Sequence, residues 1–296
     1  MKYENDVNPQ SKYPNPPFES QKQKPPGVGS KMKPVPDHGE QTYVGNARLI
    51  NKIILITGGD SGIGKAVAIA MAREGANVAI GYKDHQEDLE AQDTANWIAK
   101  AGSKCLLIKG DIRSEEFCKE MVLKTIAEFG RIDVLINNAA YQMTYNSIEE
   151  ITADEWNKTF ETNLSSMFYL IKEAKQFIPK GGVIINTTSV NAYSPNPSLL
   201  PYAASKAAIQ NFTSSLACMF LEDGSAIRVN AVAPGPVWTP LITSTIPDHE
   251  KFGSQSPMGR PAQPAELAPV YVFLASHEAS YISGATIPVT GGQITI

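Results

Sequence analysis

Cysteine is scarce in this 296-residue chain. Cys105, Cys118 and Cys218 are odd in number, widely spaced, and form no CxxC pair. Neither a disulfide framework nor a zinc site is indicated, no metal is expected, and a reducing, cytoplasmic setting fits best. Basic charge is also short. Twenty-six Lys and Arg stand against 30 Asp and Glu, a net charge of -4, which gives no electrostatic footprint for nucleic acid. No apolar run approaches the ~20 residues that a membrane span needs. Isoleucine and leucine are missing altogether from residues 1–40, which hold eight of the 21 prolines, six lysines and five acidic residues. Such a stretch buries too little apolar surface to offset its ordering entropy, so it is not expected to fold alone. Its Pro-Pro pairs favour extended backbone. No apolar core follows Lys2, which argues against a secretory signal.

Residues 1–42 therefore read as a Pro-rich extended or disordered arm, and residues 43–296 as one domain. A loose tail is favoured for the first twenty residues. The alternative is an arm lying along the domain or a neighbouring subunit, anchored by Tyr3, Tyr13, Phe18, Met32 and Val35.

What is present is a core-forming composition, 42% hydrophobic and 19% charged. Short β-branched runs alternate with helical stretches. The runs are Ile53–Thr57, Asn77–Gly81, Lys104–Lys109, Val134–Asn137, Val183–Thr188, Arg228–Ala233 and Thr286–Val289. Several are apolar without alternation, as in strands covered on both faces. Helices are expected over 62–75, 86–102, 114–130, 153–178, 202–223 and 264–276. The alternation predicts an α/β fold: a single Rossmann-type, doubly wound parallel sheet of about seven strands flanked by helices.

The first strand runs into Thr57-Gly58-Gly59-Asp60-Ser61-Gly62-Ile63-Gly64, and a helix follows. Gly58 permits the tight turn, Gly62 lets the backbone approach a diphosphate, and Gly64 allows close helix–strand packing. The helix N-terminus favours the diphosphate's charge. The spacing is GxxxGxG, a variant of the dinucleotide fingerprint. At the end of the second strand an acid would mark NAD. Gly81 stands there instead, followed by Tyr82 and Lys83. Lys83 is placed to neutralise a 2′-phosphate, a slight lean to NADP, although losing the acid does not forbid NAD. Asp111, with Ile112 beside it, is placed to meet the adenine edge or to cap the next helix.

Tyr202-Ala-Ala-Ser-Lys206 puts a phenol and an ammonium on one helix face. A positive charge there is expected to lower the phenol's pKa and make Tyr202 a general acid–base. Ser189 ends the fifth strand, at the side of an open α/β sheet where ligands bind. Tyr193 is nearer to Ser189, but Pro197 stands where the lysine would have to be. Asn163, within the expected helix 153–178, is unfavourable there by propensity.

Together these residues resemble the short-chain dehydrogenase/reductase family. The resemblance covers residues from about 50 to 296. It rests on Thr57-Gly58-xxx-Gly62-Ile63-Gly64, Asn137-Asn138-Ala139-Ala140, Asn163, Ser189, Tyr202-xxx-Lys206 and Pro234-Gly235. It implies that Tyr202 is the proton donor or acceptor, that Lys206 binds the nicotinamide ribose and tunes the phenol, and that Ser189 polarises the substrate oxygen. Asn163 would hold a water in a proton relay behind Lys206. Asn137 and Ala139 would flank the cofactor. The loop after Pro234 and Gly235 would meet the carboxamide near Val237, with Thr239 adding a contact. Thr187 and Thr188 match positions that are often structural. Homotetramers assembled through 153–178, 202–223 and the last strand are implied, with Ile294 and Ile296 seeking an interface.

The reaction expected is reversible hydride transfer between a small alcohol and its aldehyde or ketone, with NAD or NADP. Val190, Asn191, Tyr141, Gln142, Tyr193 and Trp238 are expected to line the substrate pocket, under a long irregular lid over 238–258. Competing readings are a non-catalytic nucleotide sensor or scaffold, a stress-related protein worked by its arm, and another reaction of the same fold, such as dehydration or epimerisation.

Overall fold

The apolar runs fall where a sheet buried on both faces requires them. The computed structural model describes residues 8–293. β1 (Ile53–Thr57), β2 (Asn77–Tyr82), β3 (Cys105–Lys109), β4 (Val134–Asn137), β5 (Val183–Thr187), β6 (Arg228–Pro234) and β7 (Thr286–Val289) form one 7-stranded sheet in the order 3-2-1-4-5-6-7. Every pairing is parallel. β1, β4, β5 and β6 are buried at every position. Strand side chains alternate between two cores. Ile54 and Ile56 join a core built with α1 (Gly62–Arg73) and α8 (Pro264–Ala275). Leu55 faces the other, built with α3 (Glu115–Phe129), α5 (Ser166–Ala174) and α6 (Leu200–Glu222). The strand order reverses between β1 and β4, so the crevice at their carboxyl ends is where a ligand belongs. α2 (Asp88–Lys100) packs beside α1 and β3.

The structure departs from the sequence reading at three places. The helix expected over 153–178 is broken: α4 (Ala153–Phe160) is followed by a π turn, Glu161–Ser165, before α5, and a 3-10 turn, Lys175–Phe177, ends the run. The Ser166 N–H reaches back to the Glu161 carbonyl, one residue beyond α spacing. Such π turns concentrate at functional sites, and this one carries Asn163. Secondly, the stretch over 238–258 is not wholly irregular. It holds α7 (Pro240–Thr245), with proline in its first turn, and a 3-10 turn, His249–Lys251.

Thirdly, residues 9–36 are tied to the domain. Phe18 stacks on Trp238 with ring centroids 4.3 Å apart, and Met32 is buried in the same cluster with Ile242. The Arg260 guanidinium donates to the Pro9 carbonyl at 2.7 Å, and Gln23 N–H donates to the Thr243 carbonyl at 2.9 Å. Residues 9–18 are therefore held, contrary to the loose-tail expectation for that stretch. The arm borrows the domain's apolar surface instead of making a core of its own. Of the anchors expected, Val35 is exposed, and Tyr13 bonds Asp37 through its hydroxyl. Tyr3, Ile294 and Ile296 lie outside the described residues. Among the described residues, no helix is long and apolar enough to cross a membrane.

Candidate active site

One large cavity, about 760 Å³, opens at the carboxyl ends of the strands. Its first wall is the glycine turn. Gly58 (φ +63°) and Gly62 (φ +51°) occupy the left-handed region that favours glycine. A Cβ on Gly64 would stand 1.8 Å from the Gly58 carbonyl oxygen, so this glycine lets α1 close on the turn. Gly64 thus packs the turn and does not line the cavity, whereas Gly58, Asp60, Ser61, Gly62 and Ile63 do. No side chain caps the N-terminus of α1, which leaves its N–H groups available to an anion.

The end of the cavity beside β2 carries both signs of charge. Tyr82, Lys83, Asp111 and Ile112 line it, and so does Glu87. The Lys83 side chain is exposed, while its N–H donates to Glu87 Oε2 at 2.8 Å. Burial first, and then the Glu87 charge, pushes the Asp60 carboxyl up to about 7. Burial and a hydrogen bond to Asp88 push the Tyr82 phenol up to about 12. Burial would raise Asp111, but hydrogen bonds from Arg113 outweigh it and hold the carboxyl below its usual value. Asp111 does not cap α3: the Ser114 hydroxyl accepts from Phe117 N–H and takes that role.

At the other end stand Ser189, Tyr202 and Lys206. Tyr202 and Ser189 line the same end of the cavity, and Ser189 Oγ accepts from Asn191 N–H at 3.1 Å. Lys206 lies four residues along the same helix, its Nζ 5.4 Å from the Tyr202 ring centroid. That ammonium is 1% exposed and donates to the Thr187 carbonyl at 2.8 Å. Thr188 Oγ1 in turn donates to the Lys206 carbonyl at 2.7 Å, so both threonines position the lysine from behind. Burial without a facing carboxylate pushes Lys206 down to about 7. Burial pushes the Tyr202 phenol up, and neighbouring Ser189 only partly opposes it. This corrects the expectation of a lowered phenol: a buried lysine that sheds its proton near neutrality cannot supply the full positive charge which that expectation required.

Ala139, Pro234, Gly235, Val237 and Thr239 also line the cavity, as do Val190, Asn191, Tyr141 and Gln142. Several other residues stand elsewhere. Asn137 is buried behind the cavity, donating to Asn186 Oδ1 at 2.8 Å. Its neighbour Asn138 faces the site and ties β4 to the glycine turn through the Thr57 and Gly58 carbonyls. Asn163 is fully buried outside the lining. Its amide accepts from Tyr141 N–H at 2.7 Å and donates to the Tyr141 carbonyl and Ser205 Oγ, so the side chain pins the loop after β4. Tyr193 and Trp238 do not line the cavity. Trp238 is turned away because Phe18 and the Pro34 carbonyl offer its ring and N–H partners. Pro25 and Pro26 of the arm do line it, with no motif to announce them.

A glycine-lined turn at an uncapped helix start, a long crevice and a buried lysine among acceptors fit a nicotinamide dinucleotide. Gly58, Gly62 and Ile63 would hold its diphosphate, and Tyr202 and Lys206 its nicotinamide ribose.

Comparison with known proteins agrees. Residues 58–293 match the family described as "Enoyl-(Acyl carrier protein) reductase". General stress protein 39 of Bacillus subtilis is 50% identical over 270 residues, covering 90% of this chain and 93% of that one. The chloroplastic NADPH-dependent aldehyde reductase 1 of Arabidopsis thaliana is 45% identical, covering 91% and 95%. A short-chain dehydrogenase from Burkholderia cenocepacia, solved in complex with NADP, superposes with a TM-score of 0.76 at 29% identity, covering 83% of this chain and 98% of that one. The chain belongs to the short-chain dehydrogenase/reductase family, whose NAD(P)-dependent oxidoreductase chemistry acts on CH-OH groups.

Proposed function

We propose that this protein reduces small aldehydes or ketones, and oxidises the matching alcohols, with Tyr202 as general acid–base. The observation that carries the reading is the Ser189–Tyr202–Lys206 set lining the cavity, with Ser189 and Lys206 buried and Tyr202 half-buried between them. The nicotinamide supplies or takes the hydride when bound. Tyr202, held protonated by burial, gives its proton to the developing alkoxide in reduction. Ser189 Oγ orients the substrate oxygen, and Lys206 steadies the ribose side with a charge that changes near neutrality. Val190, Asn191, Tyr141 and Gln142 surround the remaining space, which holds no cluster of Lys or Arg. That wall suits a small, uncharged, hydroxylated substrate. Two relatives are named for such chemistry: the aldehyde reductase above, and the glucose and ribitol dehydrogenase of Daucus carota, 43% identical over 284 residues.

NADP is the favoured cofactor in this reading. Lys83 at the cavity rim supports it, as does the NADP bound to the Burkholderia relative. Asp60 and Glu87 oppose it. A homotetramer is part of the same proposal: Phe168 on α5 is 49% exposed and lines a shallow groove with Tyr169 and Phe212 of α5 and α6. A monomeric mass by light scattering would remove that part.

The test is titration with NAD, NADP and their reduced forms, followed by absorbance at the reduced-nicotinamide band with a panel of aldehydes, ketones and polyols. Net turnover of the cofactor supports the proposal. Binding with no turnover on any carbonyl or alcohol would favour a sensor.

A further inference from the structure

Among the described residues, the arm enters the nucleotide cavity at one place, the turn that begins at Pro25 and Pro26. Three contacts fix that turn. A Cβ on Gly27 (φ +81°) would stand 2.6 Å from the Pro240 carbonyl oxygen, so the arm backbone lies directly on the start of α7. Gln23 N–H donates to the Thr243 carbonyl at 2.9 Å, one turn further along α7. Pro240 and Thr239 in turn abut the glycine turn: a Cβ on Gly62 would stand 3.2 Å from Thr239 Cγ2 and 3.9 Å from Pro240 Cδ. On the opposite side Gly29 N–H donates to Glu90 Oε1 of α2 at 2.6 Å. Thr94, one helical turn on, donates to both the Asp60 carbonyl at 2.9 Å and the Glu90 carbonyl at 3.0 Å.

These contacts close a ring. It runs from Gly62 through Thr239 and Pro240 to Gly27 and Gly29, across to Glu90, and back through Thr94 to Asp60. The glycine turn and the N-terminus of α1 form one side of that ring. A dinucleotide lying along the turn would have its diphosphate inside it. α7 follows β6 and α2 lies between β2 and β3, strands on opposite sides of β1 and β4 in the sheet, and the arm touches both helices. Phe18 and Met32 provide the apolar burial that holds the segment in place, and the Gly29–Glu90 bond fastens its far end.

We propose that Pro25–Gly29 is a clasp over the diphosphate end of the nucleotide cavity, with the Gly29–Glu90 hydrogen bond as its latch. The arm is then part of the cofactor site, and it sets how fast the nucleotide leaves. The inference rests on the nucleotide-site reading and on no assumption about the carbonyl substrate.

The experiment uses the full chain. Bound NADPH or NADH is displaced by excess ADP-ribose in a stopped-flow fluorimeter, and the release rate is read with no substrate present. Gly29→Pro removes the donor. Val28 is already extended (φ -131°, ψ 117°), as a residue before proline must be, and Gly29 begins a short 3-10 turn where proline is tolerated. Glu90→Ala removes the acceptor, whereas Glu90→Gln keeps an acceptor oxygen. Because changes in such contacts act mainly on dissociation, Gly29→Pro and Glu90→Ala are expected to release the nucleotide about tenfold faster. Glu90→Gln is expected to stay near wild type. Wild-type release rates in both Gly29→Pro and Glu90→Ala would overturn the clasp. Should one variant fail to fold, by circular dichroism, the release rate of the other decides. A wild-type chain that binds neither reduced cofactor overturns the nucleotide-site reading itself, and the clasp with it.

Discussion

The Trp238 indole N–H donates to the Pro34 carbonyl at 2.8 Å, across 204 positions of sequence. That bond joins the arm to the segment after β6 and turns the indole away from the cavity. Phe18, stacked on the same ring, buries its own ring there beside Met32 and Ile242.

Phe18→Ala is therefore expected to free the arm without unfolding the domain. Burial of a phenylalanine is worth roughly 1.5–3 kcal/mol. Local opening should rise by about ten- to a hundredfold. Trypsin cleavage after Lys22 and Lys31 measures it: the wild type should resist and the variant should be trimmed quickly. Equal rates would show that the arm opens by another route.

Lys206 makes stability depend on alkaline pH. Unfolded, a lysine keeps its proton to about 10.4. Folded, burial lets Lys206 lose it near about 7. Between those values the unfolded chain binds more protons, so stability rises with pH across that window. The cost of burying the charge is fully present below it. Lys206→Met removes that cost, at the expense of the bond to the Thr187 carbonyl. Its Tm relative to wild type should be highest near about pH 6 and fall steadily toward about pH 10. A difference in Tm that ignores pH would contradict the buried-charge assignment.

Asp60 acts with the opposite slope. An unfolded aspartate ionises near about 3.9. In the fold, burial and Glu87 raise Asp60 to about 7. The native state binds more protons between those values, so this group's stabilising contribution is lost as pH rises through the window. Asp60→Asn should match wild type near about pH 4 and melt higher than wild type near about pH 8, by a few degrees. Identical melting at both values would mean that the carboxyl is better solvated than the fold shows.

Gly64→Ala tests the glycine turn by size alone. Its Cβ would meet the Gly58 carbonyl at 1.8 Å, a backbone contact that no rotamer relieves. Loss of cofactor binding and a Tm lower by several degrees are expected, because overpacking costs typically about 1–3 kcal/mol. Unchanged binding would show that the turn can open without consequence.

The seven strands and the helix starts were legible because apolar runs and turn residues are local signals. Tyr202 and Lys206 were legible because four residues on a helix make one face. The π turn at Glu161–Ser165 was not, since helical periodicity runs through it and only the pairing of Asn163 with the Tyr141 backbone marks it. Trp238 was misplaced for a different reason: an indole after β6 reads as pocket wall until an arm from the other end of the chain gives it a partner. Pro25 and Pro26 reach the cavity through such long-range packing, and their local sequence has no glycine pattern or helix spacing to reveal it; Glu87 reaches it locally, through a capping box with Asp84. The phenol's direction of shift also depended on burial, which residue spacing does not report.

The most direct test of the catalytic assignment is reduced-cofactor turnover on an aldehyde that the wild type accepts, compared with Tyr202→Phe after cofactor affinity has been measured for both. The expected result is near-equal cofactor affinity and turnover lower by about 10²–10⁴-fold, the usual contribution of a positioned general acid. Turnover within a fewfold of wild type, with affinity unchanged, would contradict Tyr202 as the proton donor.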